Sequence, residues 1–184
     1  MSQCERDYRA FPEVQARDDL QVAIEVPLLV RSLGLPVGAR MLELGCGSGA
    51  ALVALQRRLQ PAYLAGVDID PTLLGQADAR FSLAGIDIDL LCADIRALPF
   101  AEGSFDVVVD FGTCYHIADP AKALREIARV LCRNGLFVHE TPVSQHLAHP
   151  VRSLGRSLPW SDAPMLTFFR TAVLWSARIK PADA

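Results

Sequence analysis

Apolar residues recur every three or four positions from the acids Asp18 and Asp19 to Gly34, the spacing that gathers them on one face of a helix. Pro27 lies inside this pattern and predicts a kink or a division of the helix. After PVGAR the period gives way to a short apolar run, MLELG, which reads as a buried strand. Helix and strand then alternate. Residues 50–60 are helical in pattern, YLAGVD (63–68) extended, 71–84 helical with Pro71 suited to a first turn, and IDLLCAD and FDVVVD extended. PAKALREIARVLCR (120–133) is an amphipathic helix that Asn134-Gly135 is predicted to close, and LFVHET returns to strand. Helical crossovers of this length allow the strands to run parallel. The expected fold is a doubly wound α/β domain, a mostly parallel sheet with helices on both faces.

The pattern changes after Thr141. A mixed stretch, 142–164, precedes two β-rich runs, MLTFFR and AVLWSARI, with no room for a helix between them, so an antiparallel hairpin is expected at the end of the sheet. A chain of 184 residues holds one domain with a proper core and is too short for two ordinary ones. Within it, 1–37 reads as an N-terminal helical cap, 38–141 as the ligand-binding core, and 142–184 as a short substrate-side segment with the terminal hairpin.

Composition narrows the class. With 51% hydrophobic residues, 21% charged and a net charge of -3, the chain reads as a globular protein, and nucleic acid is not expected as a partner because dedicated nucleic-acid binders are usually strongly basic. The five cysteines are odd in number and include no CxxC pair, which argues against a disulfide framework and a zinc site. The polar start MSQCERDYR and the lack of an apolar run near the roughly 18 residues that span a bilayer lead to an expectation of no membrane span and a cytoplasmic protein.

The chemistry gathers at LELGCGSGA (42–50), where three glycines occupy five positions. Glycine is costly to order, so the backbone there must bend tightly while something lies close against it. In open α/β sheets the first strand-to-helix turn is a usual ligand site, and unpaired N–H groups at the following helix favour an anionic group. Gly45, Gly47 and Ala50 also satisfy the loose dinucleotide fingerprint, with Asp68 near the distance of a ribose-binding acid, so an NAD(P)-binding oxidoreductase stands as an alternative.

Five segments in order weigh against that alternative: ELGCGSG (43–49), GVDIDPTLL (66–74), CADIRALPF (92–100), GSFDVVVDFGTCYHIADP (103–120) and ALREIARVLCRNG (123–135). Together they closely resemble the class I S-adenosylmethionine-dependent methyltransferases over roughly residues 38–141. The resemblance implies a seven-stranded sheet with an antiparallel last strand and S-adenosyl-L-methionine as cofactor. It implies that Gly45, Cys46, Gly47 and Gly49 line the methionine end and that Glu43 holds the amino group. Asp68 would accept from both ribose hydroxyls, Ile69 and Ile95 would flank the adenine, and Asp94 would accept from its amino group. Asp110 and Phe111 fall where family members contact the methionine portion, although an acid at 110 departs from the small neutral residues common there. Arg17 and Tyr8 belong to an N-terminal segment that family members fold over the cofactor, where Arg17 would pair with its carboxylate.

Each assignment has a plainer counterpart. Cys46 is also a small residue that fits beneath a loop, and no base for it is evident. His116, beside Tyr115, matches a family histidine that could take a proton near neutral pH, yet a packing role explains it as well. The histidines show no ligand spacing, and HETP stands where metal-dependent relatives carry an Asp-Asn pair, so no metal is expected. The expected activity is methyl transfer to an oxygen, nitrogen or carbon of a small-molecule acceptor. A noncatalytic cofactor-binding subunit is the other alternative, and a larger or anchored substrate or the partner in a homodimer would complete a pocket that the short 142–164 stretch leaves open.

Overall fold

The computed structural model describes residues 14–114, 117–140, 165–167 and 175–180. Strands β1 (Arg40–Leu44), β2 (Tyr63–Asp68), β3 (Asp89–Cys92), β4 (Phe105–Asp110) and β5 (Leu131–Glu140) pair in parallel in the order β3-β2-β1-β4-β5. Strand order therefore reverses between β1 and β4, and the crevice beyond their carboxyl ends is the ligand position that this topology favours. Beyond β5, β7 (Trp175–Ile179) pairs antiparallel with it and β6 (Met165–Thr167) antiparallel with β7, the arrangement expected for two β-rich runs without a helix between them.

Alternation along β1 shows how the sheet divides two apolar layers. Met41 faces a core with Leu52, Leu55, Phe81 and Val109, whereas Leu42 and Leu44 face one with Phe105, Ile127 and Phe137. After α1 (Val14–Leu20) and a π-helical turn (Gln21–Glu25), the first layer is covered by α2 (Val26–Leu33), α3 (Ala50–Leu59) and α4 (Pro71–Ala84). The second is covered by α5 (Pro120–Val130), which buries Ala123, Leu124, Ile127 and Val130 at helical spacing. Helices on both faces are thus required, since both faces of the strands are apolar.

Local rules set most element ends. Asp70 caps α4 by accepting from the Thr72 amide at 2.8 Å, Pro71 occupies the first turn, and Gly85 ends it at φ 65°. Pro27 divides the N-terminal helix as expected, with a specific geometry: the Val26 amide reaches back to the Gln21 carbonyl, five residues away, so a wide turn precedes the proline.

One boundary differs from the sequence expectation. Helix α5 ends at Val130 rather than Arg133, because the buried Leu131 is extended and pairs with Phe105 of β4. Asn134, at φ 62°, is therefore an irregularity within β5 and not a helix end. The Lys180 ammonium donates to the Leu131 carbonyl at 2.9 Å, and the Lys180 backbone pairs with Asn134 and Gly135, which holds this bend from the β7 side.

Candidate cofactor site

The turn after β1 places its three glycines by three different constraints. Gly45, at φ 60°, lies so near the loop after β4 that a Cβ would stand 1.9 Å from Thr113 Oγ1. A Cβ at Gly49, at φ 75°, would stand 2.7 Å from the Phe81 ring of α4. Gly47, at φ 53°, has nothing within 4 Å of that position. The outer two glycines thus bring neighbouring segments together, and the middle one leaves open space beside its main chain.

Two carboxylates border this turn. Asp68, at the end of β2 and 4% exposed, accepts from the Gly47 amide at 2.8 Å and the Asp70 amide at 2.9 Å, one on each oxygen. Burial raises its pKa, and the amides of Asp70, Gly47 and Ile69 oppose the shift. A carboxylate has about four acceptor positions, so each oxygen keeps capacity for a further donor, as a vicinal diol requires. Ile69 follows directly, and at 37% exposure it is an apolar surface set beside that carboxylate.

Glu43 is 1% exposed, and neither of its oxygens accepts a hydrogen bond from any described residue. Burial pushes its carboxyl well above the usual range; the Arg17 charge opposes this, while Asp68, Asp110 and Asp18 reinforce it. An unsatisfied buried carboxyl costs folding free energy, so Glu43, two residues before the glycine turn, has acceptor capacity that a ligand's donor could fill. The donor that suits it best carries positive charge.

The remaining expected residues are placed as follows. Arg17 donates to the Phe111 carbonyl at 2.9 Å and pairs with the buried Glu25, whose carboxyl is raised by burial and lowered again by Arg17. Phe111 itself is buried in the first apolar layer. Asp110 is 2% exposed and accepts from the amides of Gly112, Thr113 and Cys114 at 3.0, 2.6 and 3.2 Å, which shapes the loop after β4. This accounts for an acid where a small neutral residue was expected: it supplies acceptors to three backbone N–H groups.

Asp94 shares both oxygens with the guanidinium of Arg96. Ile95, expected on an adenine face, is 5% exposed and packs in the second apolar layer with Leu98, so Ile69 is the accessible apolar residue of the two. Cys46 is buried, with its sulfur against the Gly66 main chain, and burial followed by the Glu43 and Asp68 charges raises its thiol far above the usual range. It fits beneath the turn and is no nucleophile. Tyr8, Tyr115 and His116 lie outside the described residues.

Sequence reading missed a cluster behind the turn. Ser48 Oγ donates to the Asp18 carboxylate at 2.7 Å, and Arg80 of α4 pairs with the same carboxylate. A buried-looking serine between two glycines was the available signal, but its partners are 30 and 32 positions away. Among the described residues no group of three or more His, Cys, Asp and Glu could hold a metal ion, and no helix is long and apolar enough to cross a membrane.

The profile of a family described as "Methyltransferase domain" matches residues 42–139. A demethylmenaquinone methyltransferase of Thermus thermophilus is 36% identical over 99 residues, which cover 54% of this chain and 45% of that protein. A probable S-adenosylmethionine-dependent methyltransferase of Mycobacterium tuberculosis is 36% identical over 104 residues, 55% of this chain and 35% of that one. The chain thus spans less than half the length of these curated relatives. A putative S-adenosyl-L-methionine-dependent methyltransferase from Methanococcus maripaludis, solved as a crystal structure, shares the fold with a TM-score of 0.72 at 17% identity, covering 98% of this chain and 97% of that one.

Proposed function

Because this chain belongs to the class I S-adenosylmethionine-dependent methyltransferases, we propose that it transfers the methyl group of S-adenosyl-L-methionine to a nucleophilic oxygen, nitrogen or carbon of a small-molecule acceptor. The observation that carries this reading is the unpartnered, buried carboxyl of Glu43, two residues before a glycine turn in which Gly47 leaves open space. An amino-acid ammonium answers that carboxyl, and a ribose diol answers the remaining acceptor positions of Asp68. Ile69 offers the apolar face for an adenine. The Thermus relative is named for demethylmenaquinone, and a small organic acceptor is the class proposed here.

The bound cofactor supplies a methyl group on a sulfonium, with a neutral thioether as leaving group. What the chain contributes is position. Glu43 would hold the amino-acid end of the cofactor and Asp68 its ribose, Gly45 and Gly47 would let main chain approach, and the loop after β4 would wall one side. Holding an acceptor in line can lower a barrier by about 7–11 kcal/mol in the best models. Where the nucleophile carries an acidic proton, the reading assigns its removal to His116, with Tyr115 beside it. His116→Ala is expected to slow turnover and leave cofactor affinity intact; equal loss of both would make the residue structural. Completion of the acceptor pocket by a second copy belongs to the same proposal and is checked by light scattering with and without acceptor.

Thermal shift tests the cofactor. At a hundred times its dissociation constant, S-adenosylhomocysteine should stabilise the protein by about 2.7 kcal/mol, or roughly 5–10 °C. NADH should leave the melting temperature unchanged, and the reverse result would favour an oxidoreductase. Transfer of a labelled methyl group to a component of source-cell lysate tests catalysis, and binding without transfer would favour a noncatalytic subunit.

A further inference from the structure

Two adjacent residues of α1, Arg17 and Asp18, reach opposite sides of the cofactor crevice. Arg17 donates to the Phe111 carbonyl of the loop after β4 at 2.9 Å. Asp18 accepts from Ser48, in the middle of the glycine turn after β1, at 2.7 Å on both oxygens. The Asp18 carboxylate is 6% exposed and Ser48 is 4% exposed, so water does not compete freely for this bond. Arg80 of α4 pairs with the same carboxylate and also approaches Ser48 Oγ at 3.4 Å.

The geometry points to Asp18 as a positioning residue: with Ser48 and Arg80 it forms a latch that fixes the glycine turn against α1 and α4 and so sets how tightly the cofactor is held. Ser48 stands between Gly47 and Gly49, both at positive φ, where the backbone has the greatest freedom to move. The latch removes that freedom at the residue next to the Gly47 amide, which donates to Asp68. Its third member lies on α4, the helix that begins three residues after Asp68. One buried carboxylate therefore ties together the turn, the helix that follows the ribose-side acid, and the helix that also grips the opposite loop. Preorganisation of this kind lowers the ordering cost of binding without touching the ligand.

This inference rests on the cofactor reading above, and the experiment separates the two. S-adenosylhomocysteine is titrated calorimetrically into wild type, Asp18→Ala, Ser48→Ala, Ser48→Thr and the Asp18→Ala/Ser48→Ala double variant, with circular dichroism confirming fold at the titration temperature. A hydrogen bond to a charged group predicts about a 10- to 100-fold weaker affinity in either alanine variant. The double variant should lose no more than the larger single loss, because both remove one interaction. Ser48→Thr keeps the hydroxyl and should recover most of the affinity, a rescue that mere loss of stability would not give. If wild type fails to bind, the cofactor reading is wrong. If wild type binds and the folded alanine variants bind equally well, or their losses add, the latch is wrong. Should Asp18→Ala not fold, Ser48→Ala against Ser48→Thr decides the matter alone.

Discussion

Replacement of Glu43 by glutamine should move stability and cofactor affinity in ways that only a buried, unpartnered carboxyl can produce. The wild-type carboxyl is 1% exposed, and burial holds its folded pKa well above the ordinary 4.5, opposed by Arg17 and reinforced by Asp68, Asp110 and Asp18. The folded protein therefore keeps this proton where the unfolded chain gives it up. Between the two pKa values the native state binds more protons, so this contribution to stability is intact below the unfolded value and is lost as pH rises through the folded one. One proton sets a ceiling of about 1.4 kcal/mol per pH unit, roughly 3–6 °C per unit for a chain of this size. Glutamine has the same shape and does not titrate. The raised carboxyls of Glu25 and Asp68 remain in both proteins and cancel in the comparison. Urea unfolding of both proteins at about pH 5, 6 and 7 should give a stability difference that moves steadily in favour of Glu43→Gln as pH rises. The same variant should bind S-adenosylhomocysteine about 10- to 100-fold more weakly, since glutamine cannot give up a proton to meet the cationic amino group. Parallel pH curves for the two proteins would refute the reasoning.

Three other outcomes are expected. Gly45→Ala places a methyl group 1.9 Å from Thr113 Oγ1 at φ 60°, and it should destabilise by about 2–4 kcal/mol in denaturant melts, with Thr113→Ala recovering part of the loss. Asp68→Ala removes the acceptor of the Gly47 and Asp70 amides along with the proposed ribose contact, so calorimetry should show a loss of about 10- to 100-fold in S-adenosylhomocysteine affinity, with Asp68→Asn intermediate. Asp106, drawn down to about 2 by its hydrogen bonds to Arg40, contributes stability above the ordinary carboxylate range that is lost as pH falls through that value. Its pair is 44% and 37% exposed, so Asp106→Asn should cost less than about 1 kcal/mol at neutral pH, with the cost fading as pH falls through the folded value.

The parallel core was legible because each strand is a short apolar run followed by a helix of crossover length, and because Pro71 and Gly85 mark the ends of α4 by local chemistry. The end of α5 was not. Asn134-Gly135 has the local form of a helix stop, but Leu131 is claimed by β4 and Lys180 by the following bend, contacts that lie 26 and 45 or more residues away in sequence. Similar limits apply at the site. Glu43 and Asp68 stood out because they occupy the next-to-last position of β1 and the last of β2, on the side where open α/β sheets bind ligands. Asp110 looked like a ligand contact by position, whereas its described bonds run to its own loop. Asp18, Ser48 and Arg80 carry no local signature at all, since only the packing of α1 and α4 on the turn brings them together.

The most direct measurement is a crystal structure of the protein grown with S-adenosylhomocysteine. The account places the amino group against Glu43, the ribose hydroxyls on Asp68 and the main chain of Gly47 alongside. Ligand density at another location, or a filled crevice in which these two carboxylates touch only protein, would contradict it.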